Sequence, residues 1–329
     1  MEEEVPSFEA PQPSQTEVVA QAADRIRAEM QKVLIGQESL CDHLITALLA
    51  GGHLLIEGVP GIAKTLAVRV LSRSLNLQYS RIQFTPDLMP SDVTGTNVFN
   101  VKSSEFEFRK GPIFGQVVLI DEINRAPAKT QASLFEVMEE QTVTVDGDTM
   151  ALDQPFMVLA TQNPIEQEGT YRLPEAQLDR FLFRVLLQYP ELNEEQLILR
   201  RFRDDFHMGL LHQVQSVIGA AEIQHLRSVV ERVYIKDELL DYIAGIVHKT
   251  RNDADIYLGA SPRASLAVLR ASKARAAMAG RDFVTPDDIR SVTVAALNHR
   301  IQLHPEREME GITVSQVIRR ITESIEVPR

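Results

Sequence analysis

The sequence predicts an α/β protein in which a mainly parallel five-stranded sheet is followed by an all-helical region. Three observations lead there. Five short runs rich in apolar residues alternate with helical stretches over the first part of the chain, as strands buried on both faces of a parallel sheet do. The strand signal stops at Tyr189-Pro190, and helical periodicity alone follows. The first run opens into a glycine-containing loop and then a helix, a strand–loop–helix unit suited to α/β architecture.

The elements follow in order. Residues 1–16 mix Glu, Pro, Gln and Ser with few apolar positions and are expected to form a disordered tail. From Val18 apolar residues return at helical spacing (Val19, Ala22, Ala23, Ile26, Met30, Val33) until Ile35-Gly36-Gln37 interrupts. A second amphipathic helix is predicted over 38–50, ended by Gly51-Gly52. Cys41 falls on its apolar face and is assigned to packing. The apolar runs are Leu54-Leu55-Ile56, 79–84, Val117-Val118-Leu119-Ile120, Phe156-Met157-Val158-Leu159-Ala160 and 183–187. Two polar hairpins interrupt them. One lies near 98–108, and the other is Thr142-Val143-Thr144-Val145-Asp146-Gly147, where strict alternation ends in an Asp-Gly turn signal. Later, Ser261-Pro262 reads as N-cap and first-turn proline of a helix closed by Gly280, and Thr285-Pro286-Asp287-Asp288 starts another. The expected division is a tail at 1–16, an α/β domain at 17–190 and a helical domain at 191–329.

Composition narrows the function classes. The 329 residues carry 34 Lys and Arg against 46 Asp and Glu, a formal charge of −12. Nucleic-acid affinity rests mainly on cations that neutralise phosphates, so this balance without a basic run argues against DNA or RNA as the main partner. A single cysteine excludes an intramolecular disulfide. No apolar stretch reaches the ~18 residues of a membrane span, and Met1-Glu2-Glu3-Glu4 is the opposite of a basic signal leader. A cytoplasmic protein without a membrane span is expected.

Chemistry concentrates in two segments. Gly58-Val59-Pro60-Gly61-Ile62-Ala63-Lys64-Thr65 links the first strand to a helix beginning near Leu66, the context that gives a P-loop match its weight. Small residues let the loop turn backbone N–H groups toward phosphate oxygens beside a helix N-terminus. Lys64 is then expected to reach the β- and γ-phosphates and Thr65 to offer its hydroxyl to Mg²⁺. Ala63 stands where the strict pattern has glycine, which helical dihedrals at that position would tolerate. Downstream, Val117-Val118-Leu119-Ile120 ends in Asp121-Glu122. Asp121 is placed to hold Mg²⁺ and Glu122 to orient or deprotonate an attacking water. A strand end meeting solvent, or an acid capping the helix near Pro127, is the competing structural use.

With these residues in place the chain resembles the AAA+ ATPases, and within them the MoxR subfamily, from about Val33 to the C-terminal helices. The resemblance is carried by Val33-Leu34-Ile35-Gly36-Gln37, by the loop including its Ala63, by Phe84-Thr85-Pro86-Asp87-Leu88-Met89-Pro90-Ser91-Asp92, by Asp121-Glu122-Ile123-Asn124-Arg125-Ala126 and by Ala160-Thr161-Gln162-Asn163-Pro164. It implies a three-layer P-loop domain with a helical lid, ATP with Mg²⁺ as cofactors, and a homo-oligomer in the form of a hexameric ring. It further implies that Ile35 and Gly36 lie against adenine and that Gly58, Pro60, Gly61, Ile62, Ala63, Lys64, Thr65, Leu66 and Asp121 bind nucleotide, Thr65 and Asp121 at the metal. Asn163 resembles sensor 1. Arg180 is similar to an arginine finger supplied to the next subunit, with Arg125 and Arg184 as alternatives, and Arg263 resembles sensor 2. Structural uses compete here too: Asn163 capping the turn before Pro164, Arg180 pairing with Asp179 or Glu175, and Arg263 pairing with Asp253 or Asp255. The two hairpins resemble the helix-2 and pre-sensor-1 insertions that line the ring's pore.

The family also implies a function: an ATP-driven chaperone that remodels, assembles or activates a protein complex, with a von Willebrand A-type partner and metal insertion among the possibilities. A DNA motor or loader is the alternative, and a nucleotide-gated scaffold a third. The aromatic–apolar–glycine tripeptide of threading unfoldases occurs only as Tyr257-Leu258-Gly259, in the helical region and away from the expected pore. The eight histidines are scattered; His207 and His212, five apart, share no helical face and have no cysteine nearby, so no zinc site is expected.

Overall fold

The structure, a computed structural model, describes residues 14–164, 169–203 and 208–328. Most of the expected tail (1–13) and His207 lie outside the described residues. The chain begins with helices α1 (Gln15–Gln31) and α2 (Glu38–Leu49), then β1 (His53–Glu57), α3 (Lys64–Ser74), β2 (Tyr79–Gln83) and the short α4 (Pro90–Thr94). A hairpin of β3 (Gly95–Asn100) and β4 (Glu105–Lys110) precedes β5 (Val117–Asp121) and α5 (Ala128–Glu140). A second hairpin, β6 (Thr142–Val145) and β7 (Asp148–Ala151), leads to β8 (Met157–Gln162) and β9 (Phe181–Leu186). Helices α6 (Leu192–Phe202), α7 (Ala220–Glu231), α8 (Asp237–Thr250), α9 (Pro262–Met278), α10 (Pro286–Leu297) and α11 (Val314–Ser324) complete it.

The sheet has the order β9-β1-β8-β5-β2, with every neighbour parallel. Side chains alternate across a strand, and this alternation divides the core. Leu54, Ile56, Val117, Leu119, Met157 and Leu159 join one apolar cluster with α1–α3 and the helical region. Leu55, Val118, Ile120, Val158 and Ala160 join another, beneath α5 and the hairpins. Both faces are covered, which is why these strands read as unbroken apolar runs. Three layers result.

Two local features depart from the sequence reading. The first helix starts at Gln15 rather than beyond residue 16, because Ser14 and Glu17 form a capping box. Thr16 is buried and donates to Gly280 O at 3.1 Å. The helical region also carries a short antiparallel strand pair, Ile256–Leu258 with Gln302–Leu303, in which Tyr257 is exposed. The second hairpin turns through Asp146 and Gly147, both at positive φ (53° and 95°), as an Asp-Gly turn of this length requires. Cys41 is fully buried, and burial pushes its thiol up to about 12. Among the described residues no helix is long and apolar enough to cross a membrane.

Candidate nucleotide site

Parallel strands bring their C-terminal ends to one edge of the sheet, and there the expected site residues meet. The loop leaving β1 holds Gly58 where a Cβ would lie 2.3 Å from Ile62 Cδ1 and 3.0 Å from Leu187 O, so only glycine fits. Gly61 (φ 85°) and Ala63 (φ 63°) are both left-handed, a geometry that turns N–H groups to one side as an anion-binding nest. Right-handed helical dihedrals were expected at Ala63. The structure instead gives it the conformation glycine supplies at this position in the strict motif, at a cost of roughly 1–2 kcal/mol for an L-residue. Ile62 is buried, the tip at Pro60 and Gly61 is exposed, and Leu66 packs against the core from the first turn of α3.

Lys64 Nζ donates to Gly58 O and, at 3.0 Å, to Gln162 O at the end of β8. The ammonium thus spans the mouth of the loop, where it can meet phosphate. Asp121 ends β5 on the face that α3 covers. Its Oδ1 accepts from Thr65 Oγ1 and from Thr161 Oγ1, each at 3.0 Å, and its Oδ2 pairs with Arg81 Nε at 2.7 Å. One hydroxyl and one carboxylate side by side fit Mg²⁺, which takes one or two protein oxygens and completes its shell with phosphate and water. Glu122 follows in left-handed conformation (φ 56°), its N–H donating to Thr161 Oγ1 at 3.1 Å and its carboxylate paired with Arg125 at 2.5 Å. Asn163 lies buried just past β8, whose Gln162 pairs in register with Glu57 of β1. Ile35 is half-buried, and Gly36 (φ 68°) faces the first turn of α6, where a Cβ would strike the Glu194 carboxylate.

Arg180 and Arg263 lie elsewhere. Arg180 immediately precedes β9, whose first residue Phe181 pairs with His53, the first residue of β1. It therefore sits on the opposite edge of the sheet from the loop that follows Glu57, with the length of β1, ~13 Å, between them. Arg263 lines a cavity of about 350 Å³ on that same far edge, together with Gly51, His53 and Arg180. Arg263 therefore does not face the phosphate loop of its own chain. The strand directions put α9's first turn at the wrong edge, and both Arg180 and Arg263 pair with Glu139 instead. Arg184 is drawn inward to the buried Glu57, at 2.7 Å, and Arg125 is engaged with Glu122 of its own chain.

The helical region grips the Arg180 segment. Arg300 is almost wholly buried; it pairs with Asp179 at 2.5 Å and donates to Asp179 O and Phe181 O at 2.8 and 2.7 Å. Ser261 does occupy the N-cap of α9, yet its hydroxyl turns from the helix to Asp179, at 3.3 Å. Four residues escaped the sequence reading. Thr161 was legible in principle, since 117-119-121 and 157-159-161 share one face of adjacent strands. Arg81, Glu139 and Arg300 depend on tertiary placement that no local pattern reports.

An open α/β sheet, a phosphate-turning loop and a strand ending in paired acids define a P-loop nucleotide-hydrolysing protein. The comparisons agree. The family described as "ATPase family associated with various cellular activities (AAA)" matches residues 53–183, and the AAA lid domain matches 248–321. The chain is 47% identical to the protein YeaC of Bacillus subtilis, over 91% of this chain and 92% of that one. It is 39% identical to the chaperone MoxR1 of Mycobacterium tuberculosis, over 98% and 88%. A crystal structure of a putative ATPase from Cytophaga hutchinsonii, 40% identical, superposes with a TM-score of 0.87 over 96% of this chain and 97% of that one. The chain belongs to the MoxR family of AAA ATPases.

Proposed function

We propose that this ATPase works as a hexameric ring in which each active site is completed by two chains and ATP hydrolysis drives the remodelling or activation of a partner protein complex. One observation carries the reading: the phosphate loop and the Arg180–Arg263 pair occupy opposite edges of one sheet. A chain cannot bring its own Arg180 and Arg263 to its own phosphates, and a neighbour can. Within this scheme Lys64 and the loop amides hold the phosphates, and Thr65 with Asp121 holds Mg²⁺, which supplies further charge neutralisation when bound. Glu122, released from Arg125, orients the attacking water, and Asn163 hydrogen-bonds the water or the γ-phosphate. Arg180 and Arg263 of the adjacent chain then neutralise charge that develops as the phosphoryl group transfers; arginine fingers contribute ~10³–10⁵ in kcat in related NTPases.

Force has a plausible path. Helix α5 begins shortly after Glu122 and ends at the β6–β7 hairpin, whose Asp146 accepts from Asn97 of the other hairpin at 2.6 Å. That other hairpin exposes Phe99 and Phe106, packed edge to face, and Val101, apolar surface suited to a protein partner. The name of the M. tuberculosis relative, a chaperone, supports a protein substrate. A von Willebrand A-type partner, metal insertion and a cytoplasmic location rest on the family resemblance. The test is a Glu122→Gln variant, expected to bind ATP while hydrolysis falls sharply, used with ATP to trap partners. Recovery of a discrete protein complex is expected. DNA binding with a steep salt slope and no protein partner would favour the motor alternative.

A further inference from the structure

Glu139 stands between the two arginines that the ring reading assigns to the neighbour's phosphate. Its Oε1 accepts from Arg263 at 3.0 Å, and its Oε2 pairs with Arg180. It lies in the last turn of α5, where the helix dipole disfavours a negative charge and no basic residue of α5 compensates. The compensation comes from outside the helix, from the two arginines. The cavity they line also contains Arg270 and the Arg300–Asp179 pair. With Arg300 and Asp179 satisfying each other, one carboxylate, Glu139, is shared between Arg180 and Arg263, while Arg270 has Glu231 nearby. The Arg180–Glu139–Arg263 cluster keeps a net charge of +1. Among the described residues Arg180 Nε is buried with no hydrogen-bond partner, a donor left over for something that is not in the chain.

We propose that this cavity is a phosphate-accepting site and that Glu139 is its resident counter-ion. In the unassembled chain Glu139 stands in for phosphate. It neutralises two long cationic side chains, and it gives them up when a neighbour presents a γ-phosphate. A phosphate carries more charge and more acceptor oxygens than one carboxylate and can engage the spare Arg180 donor, so the exchange runs forward. Without a neighbour's phosphate the arginines stay neutralised, which keeps an unassembled chain from collecting free anions. This rests on the ring reading only for the identity of the anion's owner.

Two measurements separate the proposal from that reading. In a Lys64→Ala background, which disables the P-loop, Lys64→Ala/Glu139→Gln is compared with Lys64→Ala for binding of inorganic pyrophosphate by calorimetry. The Gln variant is expected to bind about tenfold more tightly, and adding Arg180→Ala and Arg263→Ala should abolish the gain. Equal binding with and without Glu139 would overturn the proposal, whatever the ring does. The second measurement is ATPase rate against protein concentration. Glu139→Gln should reach half-maximal rate at several-fold lower concentration with an unchanged plateau, because no counter-ion has to be displaced. A lowered plateau would mean that Glu139 positions the arginines for catalysis, and would also overturn the proposal. Failure of the ring reading has its own signature: Arg180→Ala and Arg263→Ala single variants that hydrolyse ATP at the wild-type rate.

Discussion

Replacing Thr161 by valine removes one hydroxyl and little volume, yet that hydroxyl serves both acids of the site. It donates to Asp121 Oδ1 at 3.0 Å and accepts the Glu122 N–H at 3.1 Å. A hydrogen bond to a charged group contributes about 1.5–3 kcal/mol, and an orphaned buried N–H costs about 1–3. Asp121 keeps Thr65 and Arg81, so the expected loss of stability lies in the lower half of that combined range, about 2.5–4 kcal/mol. The catalytic effect is larger than a generic destabilisation would give. Glu122 has φ 56°, a left-handed state worth roughly 1–2 kcal/mol of strain in an L-residue, and Thr161 is what braces it. Unbraced, its carboxylate drifts from the water. Steady-state ATPase kinetics with an ATP-binding titration and a urea melt should show kcat reduced at least about tenfold and KM within about threefold. Thr161→Ser should recover most of both. Wild-type kcat in the valine variant, or serine as impaired as valine, would refute the reasoning.

Ala63→Gly should relieve the left-handed strain and raise stability by about 1 kcal/mol with ATP affinity unchanged or improved; a urea melt checks it, and destabilisation would contradict the geometry. Acid should weaken the fold through histidines held neutral. His53 is buried, accepts from Val158 N–H and donates to Met138 O, and burial lowers its pKa to about 4. Burial, and then the neighbouring Arg300 charge, lowers His299 as well. The unfolded chain binds protons there that the folded chain refuses, so stability is whole above pH ~6.5 and falls as pH drops toward 4, by roughly 3 kcal/mol from His53 alone at ~1.4 kcal/mol per unit. His53→Gln should flatten part of that slope; a melt insensitive to pH between 7 and 4.5 would contradict it.

The sheet was legible because the centres of β1, β5 and β8 are buried on both faces and must be apolar, and the loop because its glycines and lysine are local. Lys64, Thr65, Asp121, Glu122 and Asn163 all sit within the loop or at a strand's C-terminal end, so strand direction alone brings them together. The position of Arg263 was not legible because a helix cap fixes where a helix starts, not which edge of the sheet it faces. That edge is set by Arg300, Ser261 and Asp179 clamping the helical region to the start of β9. Residues 14–16 depart from the expected tail because the polar Ser14 acts as a helix cap, in a capping box with Glu17.

The claim that each site is shared between chains is tested most directly by mixing inactive variants. Lys64→Ala loses its own phosphate site but keeps both arginines. Arg180→Ala and Arg263→Ala keep the phosphate site and lack one arginine. With subunit exchange verified, Lys64→Ala mixed with either arginine variant should regain ATPase activity across mixing ratios, because an intact loop can borrow the missing arginine from a Lys64→Ala neighbour. Arg180→Ala mixed with Arg263→Ala should stay inactive, since every donor edge still lacks one of the pair. Rescue in that last mixture, or substantial hydrolysis by a demonstrably monomeric wild-type chain, would contradict the two-chain site.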